Sequence, residues 1–219
     1  MIRRTRGAVH ALAVLAVLAG LALVAACSSA RGGTPTSMRP SELTDKTGGP
    51  YDGFGMEPPL PRPAFTLVDT NGKPFSFAQR TAGSPTLLYF GYTHCPDVCP
   101  TTMADIAVAL EQVPPAVRNQ TYVVFVTTDV KRDTAPVIAS WLHTFSRPAP
   151  SRFIGLRGSQ AQIDAAQAAA HVMLAEDDGQ THSAEVLLYG ADDYARVSYA
   201  QADNEADQIA HDLPLVARK

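Results

Sequence analysis

From residue 61 onward the chain alternates short apolar runs with segments whose apolar positions recur every three or four residues. AFTLVDTNGKPFSF (64–77) holds two short apolar runs about Asn71-Gly72, a strong hairpin signal. PTLLYFGYT (85–93) is almost wholly apolar, as a strand buried on both faces must be. Met103, Ile106, Ala107 and Leu110 then fall at i, i+3, i+4 and i+7 and predict an amphipathic helix, closed by Pro114-Pro115. TYVVFVTTD (121–129) is a second buried strand, and TAPVIASWLHTF (134–145) a helix with Val137, Ile138, Trp141, Leu142 and Phe145 on one side. RFIGLRG (152–158) reads as a short strand or turn. SQAQIDAAQAAAH (159–171) reads as a helix opened by a Ser159–Gln162 capping box. AEVLLYG (184–190) and YARVSYA (194–200) flank a turn at Gly190–Asp193, and Asp203 to Leu213 forms a closing helix stopped by Pro214. Hairpin, three strand–helix units, hairpin and helix predict an α/β domain: a central mixed sheet with flanking helices and an N-terminal hairpin.

The first 60 residues follow no such period. MIRRTR precedes the apolar run AVHALAVLAVLAGLALVAAC, the pattern of a signal peptide over residues 1–26. The stretch Ala11–Ala26 falls short of the roughly 20 apolar residues that span a bilayer, so an uncleaved anchor is the weaker alternative. Val24-Ala25-Ala26-Cys27 resembles a bacterial lipobox, which implies that Cys27 becomes the lipidated first residue. Residues 28–60 are rich in Gly, Pro, Ser and Thr and read as a linker with an end-to-end distance of about 30 Å. The globular domain is expected over 61–217. The full chain carries 18 Lys and Arg against 21 Asp and Glu. Loss of residues 1–26 removes Arg3, Arg4 and Arg6, leaving 15 against 21 and a net charge of −6. An acidic domain of this kind is a poor partner for nucleic acid, and lipid at Cys27 is expected to hold it to the extracytoplasmic face of the cell membrane.

Two of the three cysteines lie in GYTHCPDVCP (91–100), where a buried strand meets a helix. Pro96 suits a first helical position. A helix beginning near Cys95 sets the Cα atoms of Cys95 and Cys99 about 6.2 Å apart, a separation that admits either a disulfide or a shared metal. The helix N-terminus favours thiolate. Two thiolates select copper(I), zinc or iron–sulfur, and iron–sulfur wants more cysteines than the chain has. A third ligand is therefore sought among six histidines. His10 departs with the signal, and His143, His171 and His211 sit near helix ends. His94 adjoins Cys95, where neighbouring side chains point apart. His182 lies at a loop–strand junction, where sites assemble.

FGYTHCPDVCP, VTTDVKRDT (126–134), FIGLRGS (153–159) and THSAEVLLYG (181–190) together resemble the SCO/SenC family over about residues 55–215. The resemblance implies a thioredoxin-like fold. It also implies a copper ion held by Cys95, Cys99 and His182, and a role in delivering copper to, or preparing, the binuclear copper centre of cytochrome c oxidase. Partners implied are the apo copper-bearing subunit of the oxidase and a thiol reductant protein. The family usually has D-P-x-R-D-T, and here Val130 replaces that proline. It often has V-D-H before its histidine, and here the residues are Gln180-Thr181-His182. Asp129 and Asp97 are then the nearest candidates to support the ligands, against plain roles as a loop cap and a first-turn charge. Three other readings compete. A thiol–disulfide oxidoreductase would use Cys95 and Cys99 as its redox pair. A thiol peroxidase needs a P-x-x-x-T-x-x-C pattern that is absent here. A structural disulfide, common in exported proteins, leaves His182 and the helix start unexplained.

Overall fold

The computed structural model describes residues 49–149 and 152–218. The signal segment 1–26, Cys27 and the linker up to residue 48 lie outside the described residues. The strands are β1 (Phe54–Pro61), β2 (Thr66–Asp69), β3 (Pro74–Ser76), β4 (Thr86–Gly91), β5 (Tyr122–Thr127), β6 (Phe153–Arg157), β7 (Val186–Tyr189) and β8 (Tyr194–Tyr199). They form one eight-stranded sheet in the order β1-β8-β7-β4-β5-β6-β2-β3. β4, β5 and β6 run parallel, and every other neighbouring pair is antiparallel. The helices are α1 (Phe77–Thr81), α2 (Val98–Gln112), α3 (Pro115–Arg118), α4 (Ala135–His143), α5 (Gln160–Ala169) and α6 (Glu205–Val216).

Strand side chains alternate between two cores. Leu87, Tyr89, Val123, Phe125, Val186 and Leu188 face one, with Met103, Ile106 and Leu110 of α2, Ile138 and Leu142 of α4, and Ile209 and Leu213 of α6. Leu88, Phe90, Val124, Val126, Leu187 and Tyr189 face the other, with Phe77 of α1 and Ile163 and Ala166 of α5. Both faces are covered, which is why β4 and β5 are apolar throughout instead of alternating. The mixed sheet, the flanking helices and the N-terminal hairpin β2–β3 are as the sequence predicts. At the hairpin the Asp69 carboxylate accepts the backbone N–H groups of Asn71 and Lys73, and Gly72 supplies a positive φ of 77°. The Ser159–Gln162 capping box opens α5 as expected.

Three expectations change. Residues 54–60, read as linker, form β1 on the sheet edge against β8. Its prolines are tolerable because an edge strand needs only one row of hydrogen bonds. The folded unit in fact starts earlier still: the buried Asp212 carboxylate accepts the backbone N–H of Asp52 at 2.8 Å and of Gly53 at 3.0 Å. Pro214 does not stop the last helix, which continues to Val216; burial of Leu213 and Val216 outweighs one missing hydrogen bond so close to the helix end. Finally, α2 begins at Val98, not near Cys95. Pro96 therefore precedes the helix, and Pro100 occupies the first turn, where a missing N–H costs nothing.

Candidate functional site

β4 ends at Gly91, and the chain turns through Tyr92–Asp97 into α2. The Cys95 N–H closes this turn on the Tyr92 carbonyl at 3.3 Å. Asp133 clamps it from the side. This carboxylate is fully buried and accepts the Thr93 N–H at 2.9 Å, the Thr93 hydroxyl at 2.6 Å and the Thr127 hydroxyl at 2.6 Å. His94 Nδ1 lies 3.3 Å from the same carboxylate, so the imidazole next to Cys95 is engaged with Asp133.

The two sulfurs differ. Cys95 is half-buried just ahead of the helix, and the Cys99 N–H donates to its Sγ at 3.4 Å. Burial alone raises the Cys95 thiol, but donors from the Cys99 and Asp97 backbone, with Cys99 and Tyr92 side chains, carry it below its ordinary value. Cys99 is fully buried on α2, and burial pushes its thiol up to about 12, although the Tyr89 hydroxyl and the Tyr92 backbone work in the opposite direction. Gly91 makes room for it: a Cβ there would stand 3.0 Å from Cys99 Sγ and 3.0 Å from Tyr89 Cε1. Both cysteines are free thiols.

His182 reaches Cys99 from a distant part of the chain. Its Nε2 lies 3.5 Å from Cys99 Sγ, and its Nδ1 lies 2.8 Å from the Ser183 carbonyl. That carbonyl can only accept, so Nδ1 carries the proton and Nε2 offers its lone pair toward the sulfur. Burial lowers the imidazole's affinity for a second proton and keeps it neutral. The rings of Tyr92 and Tyr89 stand edge-on to it at 5.6 and 6.2 Å. The loop before His182 is docked on the end of β5. The Thr128 hydroxyl donates to the Gly179 carbonyl at 2.6 Å, and Lys131 pairs with Asp178 at 2.7 Å. Gly179 has φ +90°, and a Cβ there would fall 2.0 Å from the Thr128 carbonyl oxygen, so no other residue fits this contact.

Of the predicted ligands, Cys99 and His182 meet directly and Cys95 reaches the Cys99 backbone. Among the described residues no group of three or more His, Cys, Asp or Glu side chains already stands around one point as a metal cage. The donors themselves fit a soft cation: two sulfurs, and an imidazole nitrogen already turned toward one of them. Asp97 is the N-cap residue of α2 but makes no side-chain cap. Asp129 is buried and caps its own loop, accepting the Arg132 N–H at 3.1 Å and pairing with the Arg132 guanidinium, which fits its plain role. The residue that does position the cysteine turn is Asp133, four places further on. Its sequence signal is present in the R-D-T string, but nothing in the local pattern marks this carboxylate as the one that turns inward. No helix among the described residues is long and apolar enough to cross a membrane.

The model of the SCO1/SenC family matches residues 57–217. A candidate copper-binding protein of Stutzerimonas stutzeri is 32% identical over 167 residues, covering 72% of this chain and 79% of its own. A SCO2-like protein of Rickettsia felis is 37% identical over 103 residues, 45% of either chain. Among solved structures, copper-bound ScoI of Bradyrhizobium japonicum is 29% identical, with a TM-score of 0.58, over 72% of this chain and 99% of that one.

Proposed function

The chain belongs to the SCO1/SenC family, and from that premise we propose that it binds copper(I) through Cys95, Cys99 and His182 and serves the assembly of the copper centre of cytochrome c oxidase. The observation that carries this reading is the 3.5 Å approach of His182 Nε2 to Cys99 Sγ, with Nδ1 already committed to Ser183. Two thiolates and one neutral imidazole give copper(I) a soft, low-coordinate set with one net negative charge. Cys95, at the mouth of α2, is the more readily ionised sulfur and the natural first point of capture. The apo copper-bearing subunit of the oxidase is the recipient in this reading. Lipid at Cys27 would tether the domain at the extracytoplasmic membrane face, and Cys27→Ala should release it from the membrane fraction.

The test is anaerobic titration of the reduced protein with copper(I) against a competing chelator. One ion per chain is expected. His182→Ala should weaken binding by at least the roughly 100-fold that loss of a ligand's hydrogen-bond partner can cause. Equal affinity in wild type and His182→Ala would remove the histidine from the site.

The unequal sulfurs support a second reading, a thiol–disulfide oxidoreductase. The Cys95 thiolate attacks a disulfide in the target, forming a mixed disulfide and freeing one target thiolate. Cys99 then gives its proton to His182 Nε2, 3.5 Å away, and attacks the Cys95 sulfur, which releases the second target thiolate. The chain is left with a Cys95–Cys99 disulfide, the target with two thiols, and a separate thiol reductant protein must restore the pair. Reduction of an oxidised oxidase cysteine pair without any copper present would favour this reading.

A further inference from the structure

Two buried hydroxyls beside Cys99, Tyr89 Oη and Thr102 Oγ1, have no hydrogen-bond partner. Both residues are fully buried. Thr102 follows Cys99 by three positions on α2, which puts the two on one helix face. The Tyr89 ring edge and the Cys99 sulfur converge over Gly91. Tyr89 Oη lies close enough to interact with both the Cys99 sulfur and the Thr102 hydroxyl. A buried hydroxyl left unpaired has lost its water without gaining a partner, which is unfavourable. A thiol is a weak acceptor, whereas a sulfur carrying negative charge is a strong one. The two hydroxyls therefore lack a good partner in the metal-free protein and gain one when the sulfur is charged.

We propose that Thr102 and Tyr89 are positioning residues for the Cys99 ligand: Thr102 Oγ1–H donates to Tyr89 Oη, and Tyr89 Oη–H donates to the Cys99 sulfur once it is metal-bound thiolate. This rests on the copper-binding reading above. The relay places hydrogen-bond donation on the buried sulfur, which is closed off from the surface, while Cys95 draws its donors from the helix backbone. Hydrogen bonds to a ligating sulfur draw electron density from it and tune the metal.

The test uses Tyr89→Phe and Thr102→Val in the otherwise intact protein, with wild type alongside. The metal-free Tyr89→Phe protein should be at least as stable to urea as wild type, because the variant removes an unpaired hydroxyl and keeps the ring. Its copper(I) affinity should fall about tenfold. With copper(II), its sulfur-to-copper charge-transfer band should move to lower energy, because the sulfur has lost a donor. Thr102→Val should do the same to a smaller degree in wild type and nothing in the Tyr89→Phe background. If wild type and Tyr89→Phe bind copper with equal affinity and an unshifted band, the relay is wrong and the copper reading survives. If wild type itself takes up no copper, the reading beneath the relay fails and the relay with it. Lower metal-free stability with unchanged copper affinity would make Tyr89 a packing residue and overturn the proposal.

Discussion

Asp133 determines where Cys95 can be. It is a buried carboxylate with two donors on Oδ2 and the Thr93 hydroxyl on Oδ1. An amide has one carbonyl oxygen and would turn its NH2 against one of these donors. Asp133→Asn should therefore cost about 2–3 kcal/mol in urea denaturation, and Cys95 should be alkylated faster as the turn loosens. An unchanged denaturation midpoint would show that the carboxylate does not hold the loop. At this scale the sequence was most informative about chemistry and least about support. Cys95, Cys99 and His182 stand out by type and spacing. Asp129 and Asp133 look alike on paper, and only the 129–133 turn, closed by Asp133 N–H on the Asp129 carbonyl, sends one carboxylate to Arg132 and the other to the cysteine loop. Gly91 and Gly179 were equally silent, since a close approach between distant segments leaves no local pattern.

Between elements, the packing of α6 on α2 carries an unusual group. Glu205 opens α6, is buried, and both its carboxylate oxygens lack partners. Burial, and then the charge of Asp105 on α2, raise its carboxyl to about 7. A carboxyl raised on folding favours the protonated folded state. Its contribution is thus greatest below the ordinary glutamate range, falls as pH rises, and levels off above about 7. Glu205→Gln should remove that decline and stabilise the protein at pH 8 by about 2–3 kcal/mol. The full shift is worth about 3 kcal/mol, less the 0.3–1 kcal/mol or so that a negative charge gains at a helix N-terminus. Denaturation at pH 5 and pH 8 checks it; equal gains at both would rule out titration as the cause. Sequence reading served the elements unevenly. Strands buried on both faces and the capping box were plain. β1 was hidden because Pro58, Pro59 and Pro61 mimic a linker, and its pairing with β8 depends on residues some 140 places away.

For the molecule as a whole, α/β class and mixed topology follow from the alternation of apolar runs with helical periods, and the two-sided covering of β4 and β5 explains why it was legible. Where the folded unit starts was not, because its first anchor is a carboxylate on the last helix. Both cysteines of the motif are reduced; Cys99 is buried in one core and Cys95 sits half-buried at its rim. Oxidising them to a disulfide should leave circular dichroism unchanged and abolish copper(I) uptake, because metal ligation needs thiolate. Equal binding by the oxidised protein would exclude the cysteines as ligands.

The Gly179 contact bears on how long a bound ion stays. The sulfurs belong to one turn and one helix start, but the imidazole arrives on a separate loop held by its docking to Thr128. Gly179→Ala should lift that loop and shorten the residence time of copper(I), read as faster capture by a chelator in stopped flow, with the metal-free fold retained; an unaltered rate would mean the docking does not govern release. A recipient that displaced the imidazole first would meet an ion still held by two sulfurs, so hand-over could proceed by successive ligand exchange, with the metal never free in solution.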